Sequence, residues 1–299
     1  MRLNIEQNKP LAKFTTLGVG GNAEYYCEVA TSAHIEQAVV YARDMGLDLT
    51  CLGGGSNLLI NDRGIKGLVM HIKPSFSNMI VDDNFVIVES GTRLSKLVEY
   101  VCKNGLLDLS CCAGIPGSCG GAVYMNAGTK IGEISDKIEW VEVFDIATGD
   151  FKTLDVSEMG FGYRYSTLHE EFGIVTKIAF KRESGDPGKW WNTARDHLEY
   201  RVKSQPHGVK GWAGSFFRNP PGQFAGLLID KTGLKGLKIG GAEVSAVHAN
   251  FLINSGGAAA DDFIALIKKV KQSVREQFNV ELKLEVKLAG FTEEEKKEL

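Results

Sequence analysis

Hydrophobic and polar residues along this chain follow two periods, and the changes of period mark its elements. Residues 24–29 alternate like a strand, residues 32–45 place Ile35, Val39, Val40 and Ala42 at helical spacing, and the apolar run 47–51 reads as a strand. Together they predict a β-α-β unit whose last strand feeds a glycine-rich loop, Gly53-Gly54-Gly55-Ser56-Asn57-Leu58. The pattern then recurs. Residues 84–89 predict a strand, residues 94–102 a helix turning Leu94, Leu97, Val98 and Val101 inward, and residues 106–111 lead into a second glycine-rich segment, 114–128.

Residues 138–145 and 151–155 flank Ala147-Thr148-Gly149-Asp150 and predict a hairpin, followed by a strand over 173–181. The breaker cluster Gly185-Asp186-Pro187-Gly188, followed by a helix predicted over 190–203, marks the boundary of the C-terminal half. Beyond it, residues 261–278 form an amphipathic pattern with Phe263, Leu266, Ile267, Val270 and Val274 on one face. Residues 280–288 alternate strictly, setting Glu281, Lys283, Glu285 and Lys287 opposite five apolar side chains. As a bare pattern that charged face is solvated.

At 299 residues the chain exceeds what one hydrophobic core serves, so two or three subdomains are expected. With 43% hydrophobic and 24% charged residues it has the composition of a soluble globular protein, and no apolar run reaches the ~18 residues of a membrane span. The first residues show no apolar signal-peptide core, and the expected location is the cytoplasm. A net charge of −3 argues against a nucleic-acid partner. Cys27, Cys51, Cys102, Cys111, Cys112 and Cys119 include no CxxC pair, so reduced, buried thiols are expected and no metal.

The candidate chemistry lies in the glycines. Residues 114–128 hold five glycines in fifteen positions and almost no charge, and a Gly-rich backbone can turn several N–H groups toward one anion. Two such loops point to a long dinucleotide with a diphosphate. Neither has the spacing of the Rossmann fingerprint, and no GxxxxGK[ST] occurs, so the dinucleotide is held by another architecture.

Four motifs, in order and spacing, resemble the UDP-N-acetylenolpyruvoylglucosamine reductase family: Gly53 to Leu59, residues 114–128, Gly162-Tyr163-Arg164-Tyr165-Ser166, and Gly214-Ser215-Phe216-Phe217-Arg218-Asn219-Pro220. The resemblance runs from about Asn8 to Gly290. It implies an α+β fold: a two-subdomain FAD-binding half of the p-cresol methylhydroxylase/vanillyl-alcohol oxidase type, divided as residues 1–75 and 76–185, and a C-terminal α+β substrate-binding domain, 186–299. It implies FAD as cofactor, held by Gly53, Gly54, Gly55, Ser56, Asn57, Leu58, Gly114, Ile115, Pro116, Gly117, Ser118, Gly120, Gly121, Asn126 and Ala127. NADPH and UDP-N-acetylglucosamine enolpyruvate are the implied co-substrate and substrate, with UDP-N-acetylmuramate, a peptidoglycan precursor, as product.

By the same resemblance Arg164, Ser215 and Glu285 are catalytic, with Ser215 as proton donor, and Tyr163, Arg201, Asn219 and Gln223 contact the nucleotide-sugar. Read without it, Arg164 is a structural ion pair or a cation stacked on tyrosines, and Ser215 an ordinary turn or cap residue. His248 and Asn250 read as structural and are left out of catalysis. Three departures stand out: Lys287 where the family often has Arg, Arg218 where it usually has Lys, and Trp212 where it often has Ser. The short spacing from Arg164 to Ser215 resembles the family variant lacking an extra tyrosine-bearing loop. A monomer is expected, without nucleic-acid or membrane partners. Two alternatives remain at this stage: another flavin oxidase or dehydrogenase of the same cofactor-binding fold, and a non-catalytic nucleotide-binding module.

Overall fold

The computed structural model describes residues 3–170, 173–206 and 211–299, which fall into two compact units. The first comprises the chain up to Glu6, Tyr26–Gly54 and Leu68–Arg201; the second comprises Gln7–Tyr25, Gly55–Gly67 and Val202–Leu299. The units are interleaved in sequence, and this grouping does not follow boundaries at residues 75 and 185. The segment 187–201 joins the first unit because Trp190, Trp191 and Ala194 pack against that unit's core.

The first unit is organised by an antiparallel five-stranded sheet, in the order Phe151–Asp155, Ile138–Asp145, Gly173–Lys181, Phe85–Glu89, Met79–Val81. The predicted hairpin closes because Asp145 Oδ1 accepts the N–H groups of Ala147 and Thr148 at 2.8 and 3.2 Å, while Gly149 at φ 79° turns the chain back. The helix Leu94–Lys103 buries the predicted Leu94, Leu97, Val98 and Val101, together with Cys102, against Val86, Val88 and Phe180. A parallel pair, Leu49–Leu52 with Leu68–His71 of the strand Ile65–Ile72, carries the first glycine loop at its end, and the helix Ser32–Asp44 precedes it.

In the second unit the helix Ala260–Phe278 lays Phe263, Leu266, Ile267, Val270 and Val274 on a core containing Phe216, Phe217, Val244 and Leu252. A small antiparallel sheet, Lys238–Ile239, Ala242–Val244 and Leu252–Asn254, lies in the same core. Leu58–Ile60 pairs in parallel with Lys287–Ala289.

Three expectations are corrected. The alternation over 280–288 is real in burial, with Leu282 and Val286 inside, yet only Lys287–Ala289 forms a strand. The segment changes partner along its length: Leu284 bridges antiparallel to Phe217, whereas Lys287 onward pairs with Leu58–Ile60, so no continuous ladder forms. The helix predicted over 190–203 runs Pro187–Ser204, because proline is tolerated in the first turn and Asp186 Oδ1 takes the N–H groups of Gly188 and Lys189. The breaker cluster is therefore a helix start. Finally, Cys51 is exposed, while the other five cysteines are buried.

Candidate active site

The strand Leu49–Leu52 delivers Gly53 and Gly54 against the second glycine segment. A Cβ on Gly54 would lie 2.9 Å from the Gly117 Cα, and one on Gly53 would lie 2.9 Å from Ser118 Oγ, so the two backbones meet at a distance only glycine permits. Among the described residues, the N–H groups of Gly53, Gly54, Gly117 and Ser118 donate no hydrogen bond. Four free amides gathered in one place fit the diphosphate of a dinucleotide. Part of the second segment is helical: Ser118 caps Cys119–Tyr124 by accepting the Gly121 N–H at 3.3 Å, and Gly120 donates to the Ser90 carbonyl at 2.8 Å. Ile115 packs on the core of the first unit.

Asn126 and Ala127 close this segment as internal supports. Asn126 is 1% exposed; its amide donates to Glu133 Oε2 at 2.7 Å and to the Gly162 carbonyl at 3.0 Å, and accepts from the Ser135 N–H. Asn126 thereby ties the second glycine segment to the turn that carries Arg164.

In that turn Gly162 and Tyr165 exchange backbone hydrogen bonds at 3.1 and 3.0 Å, and Arg164 sits at φ 56°, a left-handed conformation unusual for a side-chain-bearing residue. The Arg164 guanidinium donates to the Gly128 carbonyl at 3.0 Å, lies 3.5 Å from Glu133 Oε1 and stacks over Tyr163 at 4.9 Å. Arg201 belongs to the same unit and lies over Gly114, where a Cβ would come within 2.9 Å of its Cδ. Its Nε is buried without a partner, and burial, followed by the charge of Arg164, holds its guanidinium below the usual arginine range. Arg201 thus keeps a buried, unpartnered donor beside a second guanidinium, an arrangement whose chemistry suits an anion.

Ser215 and Glu285 belong to the second unit, where they lie on adjoining segments. The Glu285 N–H donates to the Phe216 carbonyl at 2.8 Å and the Arg218 N–H to the Lys283 carbonyl at 2.8 Å, flanking the Phe217–Leu284 bridge. Asn57 of the first glycine loop joins them: its amide donates to the Glu285 carbonyl at 3.1 Å, and its own carbonyl accepts the Lys287 N–H at 3.1 Å. Gly55, at φ 60°, packs so tightly on the Phe14 backbone that no Cβ fits. Leu58 enters the strand paired with Lys287–Ala289. Lys287 is pushed down to about 8 by burial and by the charge of Arg218.

Asn219 Oδ1 accepts the Ala225 N–H at 3.0 Å and so supports the start of the helix Ala225–Lys231, while Gln223 is exposed in the preceding turn. Tyr163 is exposed beneath Arg164.

Sequence reasoning missed Glu133, the carboxylate shared by Arg164 and Asn126, and the positioning role of Asn250, which holds Phe217 by both its backbone groups. No local signal marks either residue, because their partners are distant in sequence. Among the described residues no group of three or more His, Cys, Asp or Glu side chains could hold a metal ion, and no helix is long and apolar enough to cross a membrane.

Residues 23–155 match the FAD binding domain family, and residues 205–289 match the C-terminal domain of UDP-N-acetylenolpyruvoylglucosamine reductase. The UDP-N-acetylenolpyruvoylglucosamine reductase of Desulforamulus reducens is 38% identical over 287 residues, covering 96% of this chain and 94% of its own. That of Listeria innocua is 40% identical over 286 residues, covering 96% and 95%. The crystal structure of the enzyme from Thermus caldophilus superposes with a TM-score of 0.82 at 37% identity, covering 97% of this chain and 99% of that one. On this likeness over nearly its whole length, the chain belongs to the UDP-N-acetylenolpyruvoylglucosamine reductase family, oxidoreductases here carrying an FAD-binding domain.

Proposed function

We propose that the protein reduces the enolpyruvyl group of UDP-N-acetylglucosamine enolpyruvate to the lactyl ether of UDP-N-acetylmuramate, using electrons from NADPH, in peptidoglycan precursor synthesis. The four unpaired amides of Gly53, Gly54, Gly117 and Ser118 hold the FAD diphosphate. FAD, when bound, would supply the two-electron hydride chemistry that links NADPH to the enolpyruvyl group.

Hydride arrival at C3 leaves negative charge that spreads from C2 toward the substrate carboxylate. Arg164 binds that carboxylate through its fork of donors, with Glu285 as a hydrogen-bonding partner of the developing enolate. Ser215 then gives its proton to C2. Arg201 and Tyr163 take the nucleotide-sugar, with Asn219 and Gln223 as further contacts. The reading extends to a monomer in the cytoplasm with an FAD-binding half and a C-terminal substrate domain.

The observation that carries this reading is the Glu285 N–H bond to the Phe216 carbonyl at 2.8 Å, which holds the proposed proton donor and the proposed enolate partner on adjoining segments. Stopped-flow absorbance at the flavin band tests it: protein reduced by NADPH without oxygen is mixed with UDP-N-acetylglucosamine enolpyruvate. Rapid reoxidation is expected. A reduced flavin that this substrate leaves bleached, and that only oxygen reoxidises, would overturn it.

A further inference from the structure

Glu285 lies where its segment changes partner. The antiparallel bridge of Leu284 to Phe217 claims its N–H, which donates to the Phe216 carbonyl at 2.8 Å, and the parallel pairing with Leu58–Ile60 begins only at Lys287. The Glu285 carbonyl lies between the two pairings and belongs to neither. A backbone carbonyl in that position must find a partner outside the ladders. It finds the side-chain amide of Asn57, which donates to it at 3.1 Å.

Asn57 grips this segment twice, because its own backbone carbonyl also accepts the Lys287 N–H at 3.1 Å. One residue thus brackets positions 285–287, and Val286 between them is buried in the core of the second unit. The peptide plane joining Glu285 to Val286 is fixed by two hydrogen bonds. The Val286 N–H reaches the Phe216 carbonyl at 3.4 Å, so the Asn57 amide makes the shorter of the two. Asparagine suits this place, since its short side chain ends in a donor. Aspartate would turn an acceptor toward the carbonyl, and alanine would leave it bare.

We propose that Asn57 is a positioning residue for Glu285: its side-chain amide fixes the peptide plane from which the Glu285 carboxyl projects, a role apart from any contact its backbone makes with the cofactor. The inference rests on the reaction proposed above, in which Glu285 partners the developing enolate. A group that acts in the transition state depends on its placement, and a displacement of about 1 Å costs on the order of 10²-fold in rate. No ladder bond holds the Glu285 carbonyl, so the Asn57 amide supplies that placement.

The test is a double-mutant cycle of Asn57→Ala and Glu285→Ala in FAD-saturated protein, read as reoxidation of the NADPH-reduced flavin at saturating UDP-N-acetylglucosamine enolpyruvate. Asn57→Ala alone is expected to slow reoxidation by about tenfold or more. In the Glu285→Ala background it should slow it by less than about twofold, because no carboxyl is left to position. Equal slowing in both backgrounds would overturn the inference. Asn57→Asp, similar in shape but without the donor, is expected to be at least as slow as Asn57→Ala, and a parent rate there would overturn it as well. FAD affinity of Asn57→Ala, followed by flavin fluorescence, should stay within about twofold of the parent, since the backbone of residue 57 is kept, whereas a loss of about tenfold would assign the side chain to the cofactor instead. Hydrogen exchange at the Glu285, Val286 and Lys287 amides, read by NMR without substrate, reports on the clamp itself: faster exchange is expected in Asn57→Ala, and unchanged exchange would overturn the clamp. This last readout holds whether or not the enolpyruvyl substrate reoxidises the parent flavin, so failure of the clamp is distinct from failure of the proposed reaction.

Discussion

The side chain of Asn250 closes two hydrogen bonds on the backbone of Phe217, accepting its N–H at 3.0 Å and donating to its carbonyl at 2.8 Å. The Asn250 carbonyl also accepts the Phe216 N–H at 2.9 Å, so one buried residue sets the path of the chain beside Ser215. Asn250→Ala leaves two buried backbone groups without partners, at about 1–3 kcal/mol each, and should lower stability by about 2–6 kcal/mol. Guanidinium unfolding measures this. Asn250→Asp, which keeps the acceptor but sets a buried carboxylate oxygen against the Phe217 carbonyl, should be at least as destabilising as Asn250→Ala.

Gly54→Ala inserts a methyl group at 2.9 Å from the Gly117 Cα, backbone against backbone, and neither loop can yield without moving its free amides. FAD affinity, followed by flavin fluorescence, should fall by about tenfold or more, each lost charge-assisted contact being worth about 1.5–3 kcal/mol. Unchanged affinity would mean that this junction does not hold the diphosphate.

Arg164→Lys keeps the charge and loses the fork. Lysine cannot grip a carboxylate bidentately, so reduction of the enolpyruvyl substrate should slow by about 10-fold or more while reduction of the flavin by NADPH stays near the parent rate. The two half-reactions, resolved by stopped flow, separate these effects. Equal slowing of both would point to a damaged cofactor loop, since Arg164 also caps the Gly128 carbonyl at 3.0 Å.

Ser215→Ala removes the proposed proton donor. Flavin reduction by NADPH should be intact, and reoxidation by the enolpyruvyl substrate should slow by roughly 10²-fold or more. Reoxidation at the parent rate would show that the C2 proton comes from elsewhere.

Lys287, held at about 8 by burial and by Arg218, gives a pH signature. The ordinary lysine value is about 10.5, so between about pH 8 and 10.5 the unfolded chain binds the proton that the folded chain has released. Stability conferred through this group therefore rises with pH across that window, and below it the cost of a buried ammonium is present in full. Lys287→Met should be more stable than the parent at pH 7, and the difference should shrink as pH rises toward 10.5. Urea midpoints of both proteins across that range provide the check.

The elements that sequence periodicity located are those whose signal is local. The helix Leu94–Lys103 and the strands Ile138–Asp145 and Gly173–Lys181 stand where alternation or helical spacing put them, because each buries a face in a single core, whereas the largely exposed strand Phe151–Asp155 stands where the hairpin turn puts it. Where a segment serves two partners, the reading fails. Residues 280–288 show a strand's alternation, but their backbone is divided between Phe217 and Leu58–Ile60, which no pattern within the segment encodes. The helix Cys119–Tyr124 was hidden for a different reason: its glycines argue against a helix, and Ser118 and the Ser90 and Thr92 carbonyls hold its first turn.

By itself the sequence determined that two glycine-rich loops exist, that they follow β-α units, and that Arg164, Ser215 and Glu285 stand in motifs resembling one family. These follow from local chemistry: a missing Cβ, a period of two or 3.6, a motif spacing. The tertiary structure alone decided that Gly53 and Gly54 abut Gly117 and Ser118, that Asn57 bonds the Glu285 carbonyl across 228 positions, and that Asn250 grips Phe217 across 33. Hydrogen bonds and steric contacts at such separations form only when the cores bring the segments together, so they leave no trace in the local pattern of either partner.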